Sequence, residues 1–388
     1  MRPTPCWFFA RSPSLARVSA KKEITIPTVE EVHVALEKVK DPALSRSLQA
    51  ANMLREVSVE GGKVRLNLQL TTPACPSRDA IAASVREAVG RLAGVTGVEI
   101  VFSAEVARRA GPQRERLPGV RNIIAIAAGK GGVGKSTVAT NLAAALQQQG
   151  ARVGLLDADV FGPSIPQMMG NPDVPPDVGA GQKIKPAVHH GIQVVSVGFF
   201  VERGTAIIWR GPMVHKLLQQ FLDDVEWGEL DYLVVDLPPG TGDTQLSLAQ
   251  LIPVTGAVMV TTPQEVAVLD VEKAMAMWKK VQVPVLGIIE NMSYYLCPSC
   301  GHRDEIFSRG GGRKLAEREG VRFLGEVPLL PGVRGGGDAG KPVVLAEPTS
   351  PVAQLFVSIA QQVACALSVL NLPDPGTGKR SSRLSVLR

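Results

Sequence analysis

Aromatic residues make up only 4% of the 388-residue chain, too few to build a stacking platform for single-stranded nucleic acid. Five cysteines in that length exclude a disulfide framework, and only Cys297 and Cys300 are closely spaced. No long apolar run follows the basic start, which argues against a secretory signal. The uncharged stretch Thr244–Gln264 is long, but Pro253, Gly256 and its threonines divide it into a helix end and a strand. Acidic residues are missing from both ends. Arg2, Arg11, Arg17, Lys21 and Lys22 crowd the start, and Lys379, Arg380, Arg383 and Arg388 the finish, so much of the net charge of +6 sits there. Tails of that kind are solvated, and neither a nucleic-acid nor a membrane partner is expected from them. Thiols that serve as ligands need a reducing compartment, so the expected location is cytoplasmic. The basic, serine-containing start also resembles an organelle transit segment, which leaves an organelle as the alternative.

What the chain does have is a phosphate loop. Residues 129–137 read Gly129, Lys130, Gly131, Gly132, Val133, Gly134, Lys135, Ser136, Thr137, which fits Gly-x-x-x-x-Gly-Lys-[Ser/Thr] and adds a second lysine at Lys130. The preceding run Asn122–Ala128 is short and apolar, as a buried parallel strand is. The following run Val138–Leu146 has helical composition and ends near Gly150. Backbone N–H groups and the dipole at a helix start favour an anion there. Lys135 is expected to reach the β- and γ-phosphates of ATP, and the Ser136 hydroxyl to bind Mg2+.

The pattern of apolar runs predicts the architecture. Residues 24–104 read as a small α/β domain, with helices at Val29–Lys40 and Arg78–Leu92 and strands at Lys63–Leu70 and Val95–Phe102. A polar linker is expected over 105–119, and the segments 1–23 and 373–388 are read as basic tails. Over 120–372, short strands alternate with helical segments. The expected strands are Ile123–Ala128, Val153–Leu156, Ile192–Val197, Tyr232–Val235, Gly256–Thr261, Val285–Ile289 and Phe323–Val327. This predicts an α/β fold with a mostly parallel, doubly wound sheet, whose ligand sits at the carboxyl ends of the strands. The glycine triplets 310–312 and 335–337 read as flexible loops, and Val352–Leu372 as an amphipathic closing helix packed on the core.

Three aspartates fall just past predicted strands. Asp157 and Asp159 follow Leu155-Leu156, and Asp236 follows Leu233-Val-Val235. Carboxylates so placed beside a phosphate loop support Mg2+; Asp159 is the choice for orienting an attacking water. Pro238, Pro239, Gly240 and Gly242 form a loop able to reset between two shapes, with the Gly240 amide as a γ-phosphate sensor.

Taken together, Gly129–Thr137 with Lys130, Asp157–Ser164, Asp236–Asp243 and Cys297-Pro-Ser-Cys300 resemble the Mrp/ApbC family of deviant Walker A ATPases, which are iron–sulfur cluster carriers or scaffolds. The resemblance runs from about Val120 to Leu370, and residues 24–104 look like that family's common N-terminal module. It implies a homodimer with ATP sandwiched at the interface, Lys130 reaching across to the partner's nucleotide, and Lys135, Ser136 and Thr137 holding phosphates and Mg2+. It also implies that Asn291 lies near the adenine, and that acceptor apoproteins receive the cluster.

Cys297 and Cys300 put two thiols on one turn, half of a tetrahedral metal site or one edge of a cluster. A symmetric dimer would bring two pairs together. The resemblance implies a bridging 4Fe-4S cluster there; zinc, a redox dithiol or coincidence are the other readings of the spacing alone. Cys75, in Thr71-Thr-Pro-Ala-Cys-Pro76, is either a participant in cluster transfer or a partly buried small hydrophobe, while Cys6 and Cys365 read as structural or incidental. Two further readings stand beside the carrier: a MinD/ParA-like positioning ATPase, which has no need of the cysteine pair, and a zinc-bridged adaptor.

Overall fold

The computed structural model describes residues 26–108, 117–170, 176–178, 183–200, 211–240 and 242–372. The tails read over 1–23 and 373–388, Cys6, and the middle of the predicted linker lie outside the described residues.

A nine-stranded sheet forms the centre of the larger part. Across it the order is Ala187–His189, Ile192–Ser196, Val153–Asp157, Leu230–Asp236, Val120–Ala128, Gly256–Thr261 and Val285–Leu296. Val285–Leu296 then pairs in parallel with Phe323–Leu329 and, further along its length, antiparallel with Arg303–Asp304. The other antiparallel strand is Ala187–His189 at the far edge. Val120–Ala128 is therefore central, flanked on each side by a parallel strand, and is buried along nearly its whole length. That double burial is why it reads as a continuous apolar run rather than an alternating one.

Helices cover both faces. Lys135–Gln148 packs on one face together with the closing helix Pro351–Asn371. The closing helix starts where Ser350 accepts the Ala353 N–H at 3.3 Å and Pro351 fills the first turn. Val352, Phe356, Ile359, Val363, Leu367 and Leu370, spaced by three or four, form its buried stripe. Each such side chain contributes about 1.5–3 kcal/mol on burial. The helix is long and apolar enough to cross a membrane by composition, yet its apolar stripe is buried inside the protein.

The small N-terminal part has helices Val29–Leu36 and Arg78–Gly90 on a three-stranded sheet of Leu54–Glu60, Lys63–Leu70 and Gly97–Ala104. The first of these strands is missing from the sequence reading because its residues are only half-buried and its alternation is weak. The two parts interlock. Ala74 of the small part joins the core of the large one, while Val369 and Leu372 of the closing helix end pack on the small core. Polar bonds seal the seam: Tyr232 donates its hydroxyl to Thr72 Oγ1 at 2.8 Å, and Asn371 Nδ2 donates to Ala107 O and Asn122 Oδ1, both at 2.9 Å.

Both glycine triplets depart from the expected loops. Gly310 is the N-cap of helix Gly311–Glu319, and Gly335–Gly337 lie inside helix Pro331–Asp338. A backbone helix can be held by packing at its sides despite glycine's low propensity. Here Gly312 lies against Thr261 and Glu290, and Gly337 against Met168, where a Cβ would meet them at 2.9 and 3.1 Å.

Candidate functional site

The loop 129–134 bends from the central strand into helix Lys135–Gln148 at its carboxyl end. Two contacts explain its glycines. A Cβ at Gly129 would lie 2.3 Å from the Asp270 carbonyl carbon, and one at Gly134, already at φ 80°, would lie 2.1 Å from Asn291 Nδ2. Asn291 Nδ2 in turn donates to Val133 O at 2.8 Å, so the loop is gripped from Val285–Leu296, the second strand along the sheet from Val120–Ala128.

Lys135 reaches into a nest of carboxylates. Its Nζ donates to Asp236 Oδ1 at 2.6 Å and lies 3.4 Å from Asp159 Oδ2. Asp159 Oδ1 and Asp236 Oδ2 are buried and accept no hydrogen bond. Beside a phosphate loop, the orphaned Asp236 oxygen suits a hard divalent cation such as Mg2+ and the orphaned Asp159 oxygen suits a water. Burial pushes the Asp236 carboxyl up, a shift that the Lys135 ammonium and the Ser136 hydroxyl oppose.

Asp157 is different. Its Oδ1 accepts the Asp159 N–H at 3.1 Å, and its Oδ2 accepts Ile165 N at 3.2 Å and Ser196 Oγ at 2.9 Å. Both oxygens are thus committed to shaping the 157–165 loop, which sets where Asp159 points. Burial, and next the Asp236 charge, raise its pKa to about 7. Asp157, expected with Asp236 at Mg2+, thus has both oxygens engaged by donors of its own loop and of Ser196.

Lys130 is half-buried in the loop and forms no ion pair among the described residues. Thr137, one turn into the helix, lines a cavity of about 480 Å³ with Asn291, Met292, Leu330, Val333 and Arg334. Its size and apolar walls suit a nucleotide base. Gly240, at φ 113°, donates its N–H to Ala128 O at 3.2 Å, and Gln245 Nε2 donates to Pro238 O at 2.8 Å.

Cys297 and Cys300 lie on the turn of a short hairpin that continues the Asn291 strand. Tyr295 pairs with Asp304 and Leu296 with Arg303; Cys297 N donates to His302 O at 2.9 Å, and Gly301 N to Cys297 O at 2.9 Å. Cys297 is partly exposed and Cys300 exposed. Backbone N–H groups of Cys300 and then Ser299 hold the Cys297 thiol below its usual range, favouring the thiolate a metal needs. His302 is exposed and offers only its carbonyl to the hairpin. Among the described residues no group of three or more His, Cys, Asp or Glu is placed to hold a metal, and Cys297 and Cys300 stand as a pair of accessible thiols.

Cys75 is remote from this pair. It sits at the seam with the small part, near Asp41 and Cys365, whereas the hairpin lies beyond the opposite, carboxyl ends of the strands. About 20 Å of strand separates Asn122 at the seam from the phosphate loop. Burial pushes its thiol up to about 11, which makes it a poor nucleophile and ligand.

Sequence reasoning passed over Glu290 and Glu326. Glu290 is fully buried and accepts N–H bonds from Gly310 and Gly312 at 3.0 and 2.6 Å. A carboxylate ending an apolar run directly before Asn291 is the same signal that marked the aspartates. Glu326 shows no such signal; its partners are distant in sequence.

Sheet order and phosphate loop make this a P-loop nucleotide-binding protein. A family model described as the NUBPL iron-transfer P-loop NTPase matches residues 119–364, and one described as an iron–sulfur cluster assembly protein matches residues 29–100. The iron-sulfur cluster carrier protein of Deinococcus radiodurans is 48% identical over 340 residues, covering 88% of this chain and 96% of its own. That of Synechocystis is 47% identical, covering 89% and 99%. A solved nucleotide-binding protein of Archaeoglobus fulgidus, in complex with ADP, superposes with TM-score 0.55 at 38% identity over 63% of this chain and 95% of its own. The chain belongs to the iron-transfer P-loop NTPase family, and its small N-terminal part to the iron–sulfur cluster assembly family.

Proposed function

We infer that the chain is an ATP-dependent iron–sulfur cluster carrier that binds its cargo between two copies of itself and delivers it to acceptor apoproteins. The carrying observation is a single strand, Val285–Leu296, that grips the phosphate loop through Asn291 and runs directly into Cys297. The relatives named as carriers and the family match support the cargo.

Two features favour a homodimer. The two thiols of one chain are half a site, and a two-fold axis through the hairpins would complete four sulfur ligands for a 4Fe-4S cluster. In addition, Phe161, Val266 and Ile306 are each more than half exposed; the first two follow carboxyl ends of parallel sheet strands, where the phosphate loop lies, and Ile306 follows the cysteine hairpin. Lys130, without an ion-pair partner among the described residues, is then free to reach a nucleotide across the interface as an arginine finger does.

For hydrolysis, Mg2+ bound by Ser136 and Asp236 would neutralise phosphate charge. Lys135 must leave Asp236 in part to meet the phosphates. Asp159, steered by Asp157, orients the attacking water. A γ-phosphate oxygen competes with Ala128 O for the Gly240 N–H, whose present bond is long at 3.2 Å. Winning that amide shifts the 238–240 loop, and hydrolysis returns it. ATP thereby sets dimer geometry and the hold on the cluster. The test is transfer of a loaded cluster to an apo-ferredoxin with ATP present: Lys135→Ala should stop ATP-dependent transfer, and transfer equal to wild type would refute the coupling.

A further inference from the structure

The segment after Cys300 is held by two carboxylates on neighbouring strands. Glu290 and Glu326 are Cα partners where Val285–Leu296 pairs with Phe323–Leu329. Glu290 binds the backbone of Gly310 and Gly312 and takes the Ser293 hydroxyl at 2.6 Å. Glu326 takes three guanidinium groups. Its Oε2 accepts from Arg303 and Arg309, both at 3.3 Å, and its Oε1 from Arg313 at 3.2 Å. Arg309 is shared with Glu305 at 3.5 Å. Burial works against the Glu326 charge, yet Arg313, Arg309 and Arg303 hold its carboxyl below the usual range.

Arg303 is the critical arm, because it forms the last rung of the cysteine hairpin, opposite Leu296. Its guanidinium lies 3.7 Å from the Tyr294 ring centroid, so its stem and head are both fixed. The hairpin itself has two ladder rungs, too few to be rigid alone. Backbone pairing ties only its Tyr295 arm to the sheet, opposite Leu329, so the returning Arg303 arm depends on side chains for its tie. Glu326 stands on a sheet strand, its side chain only 12% exposed, and provides that tie. An isolated exposed ion pair would be worth almost nothing, but a half-buried carboxylate gathering three arginines is a network.

We propose that Glu326 is a positioning residue for the Cys297–Cys300 pair, anchoring the thiol hairpin to the sheet through Arg303 and so setting how slowly a bound metal escapes. This rests on the reading of the two cysteines as a metal half-site. Groups bonded directly to metal ligands typically change metal affinity 10–100-fold, and an anchor one step further out is expected to act at the lower end of that range.

Anaerobic Co2+ provides the test, since its thiolate charge-transfer band reports the sulfur ligands directly. Wild type, Glu326→Gln, Glu326→Asp and Arg303→Gln are loaded and challenged with EDTA, with ADP affinity measured alongside. Glu326→Gln should release Co2+ about tenfold or more faster. Glu326→Asp should fall between it and wild type, and ADP affinity should not change. Arg303→Gln should reproduce the fast release, and the double variant should add nothing to it. Should Glu326→Gln fail to fold, Arg303→Gln carries the same comparison from the hairpin side. Release rates equal to wild type in variants that show the thiolate band would overturn the anchor while leaving the half-site intact. A wild-type protein with no thiolate band would overturn the half-site itself, and the anchor with it.

Discussion

Asn291 holds the phosphate loop by donating to Val133 O at 2.8 Å, from a strand that ends one residue before Cys297. Nucleotide loop and thiols are therefore joined by about 20 Å or less of one strand, with no flexible connection between them. The strand is not uniform: its register shifts between Asn291 and Tyr295, and Met292 adopts φ 53°. A local irregularity at that point is where a shift of the loop would be passed on.

Asn291→Ala removes one side-chain bond to the loop. Nucleotide affinity should weaken by up to about tenfold, the worth of one net hydrogen bond. Cluster release should also lose its response to ATP. Isothermal titration and a release assay with and without ATP check both, and an unchanged ATP response would break the proposed link.

Lys135 and Asp236 form a buried pair, 7% and 0% exposed at the side chain. Removing one partner from such a pair costs about 3–5 kcal/mol, because the other charge is left uncompensated. Lys135→Ala should therefore lower stability of the nucleotide-free protein by roughly that amount. Asp236→Asn in the same chain should recover much of the loss. Urea denaturation distinguishes this from a lysine that matters only for phosphate binding, where the single variant would stay as stable as wild type.

Asp157 gives the nucleotide-free protein a pH dependence of defined sign. Its folded pKa of about 7 lies above the ordinary carboxyl value of 3.8 that applies when unfolded. Between those values the folded state holds the extra proton. Stability from this group is complete at low pH, falls as pH rises from about 4 to about 7, and levels off above. Asp157→Asn should flatten that slope in denaturation curves taken without nucleotide or Mg2+. An identical slope would place the titration elsewhere.

Cys75→Ser should leave metal loading at Cys297 and Cys300 unchanged, since the seam lies at the other end of the sheet. Cys297→Ala with Cys300→Ala should abolish it while ADP binding persists. Loss of loading on Cys75→Ser would contradict the separation.

Much of this was legible in the sequence for a physical reason. The phosphate loop is local, so strand, glycines, Lys135 and Ser136 all show in one window, and the buried parallel strands read as unbroken apolar runs. Val285–Leu296 was seen only as far as Ile289, because its later half turns polar as it leaves the core for the hairpin. The helix nature of the glycine triplets was hidden because side contacts, not propensity, hold them. Asp157 looks like Asp159 and Asp236 by position; only the donors that converge on it, Ile165 from the end of its own loop and Ser196 from the next strand of the sheet, set it apart. Glu326 was invisible for the same reason, its three arginines coming from the hairpin, the next turn and a helix.

The most direct measurement is the metal and sulfide content of anaerobically reconstituted protein, counted per pair of chains and resolved by mass. The account predicts about four irons and four sulfides on a dimer, lost together in the Cys297→Ala, Cys300→Ala variant, as a four-thiolate bridging cluster requires. Zinc in place of iron and sulfide, or a cluster carried by a single chain, would contradict it.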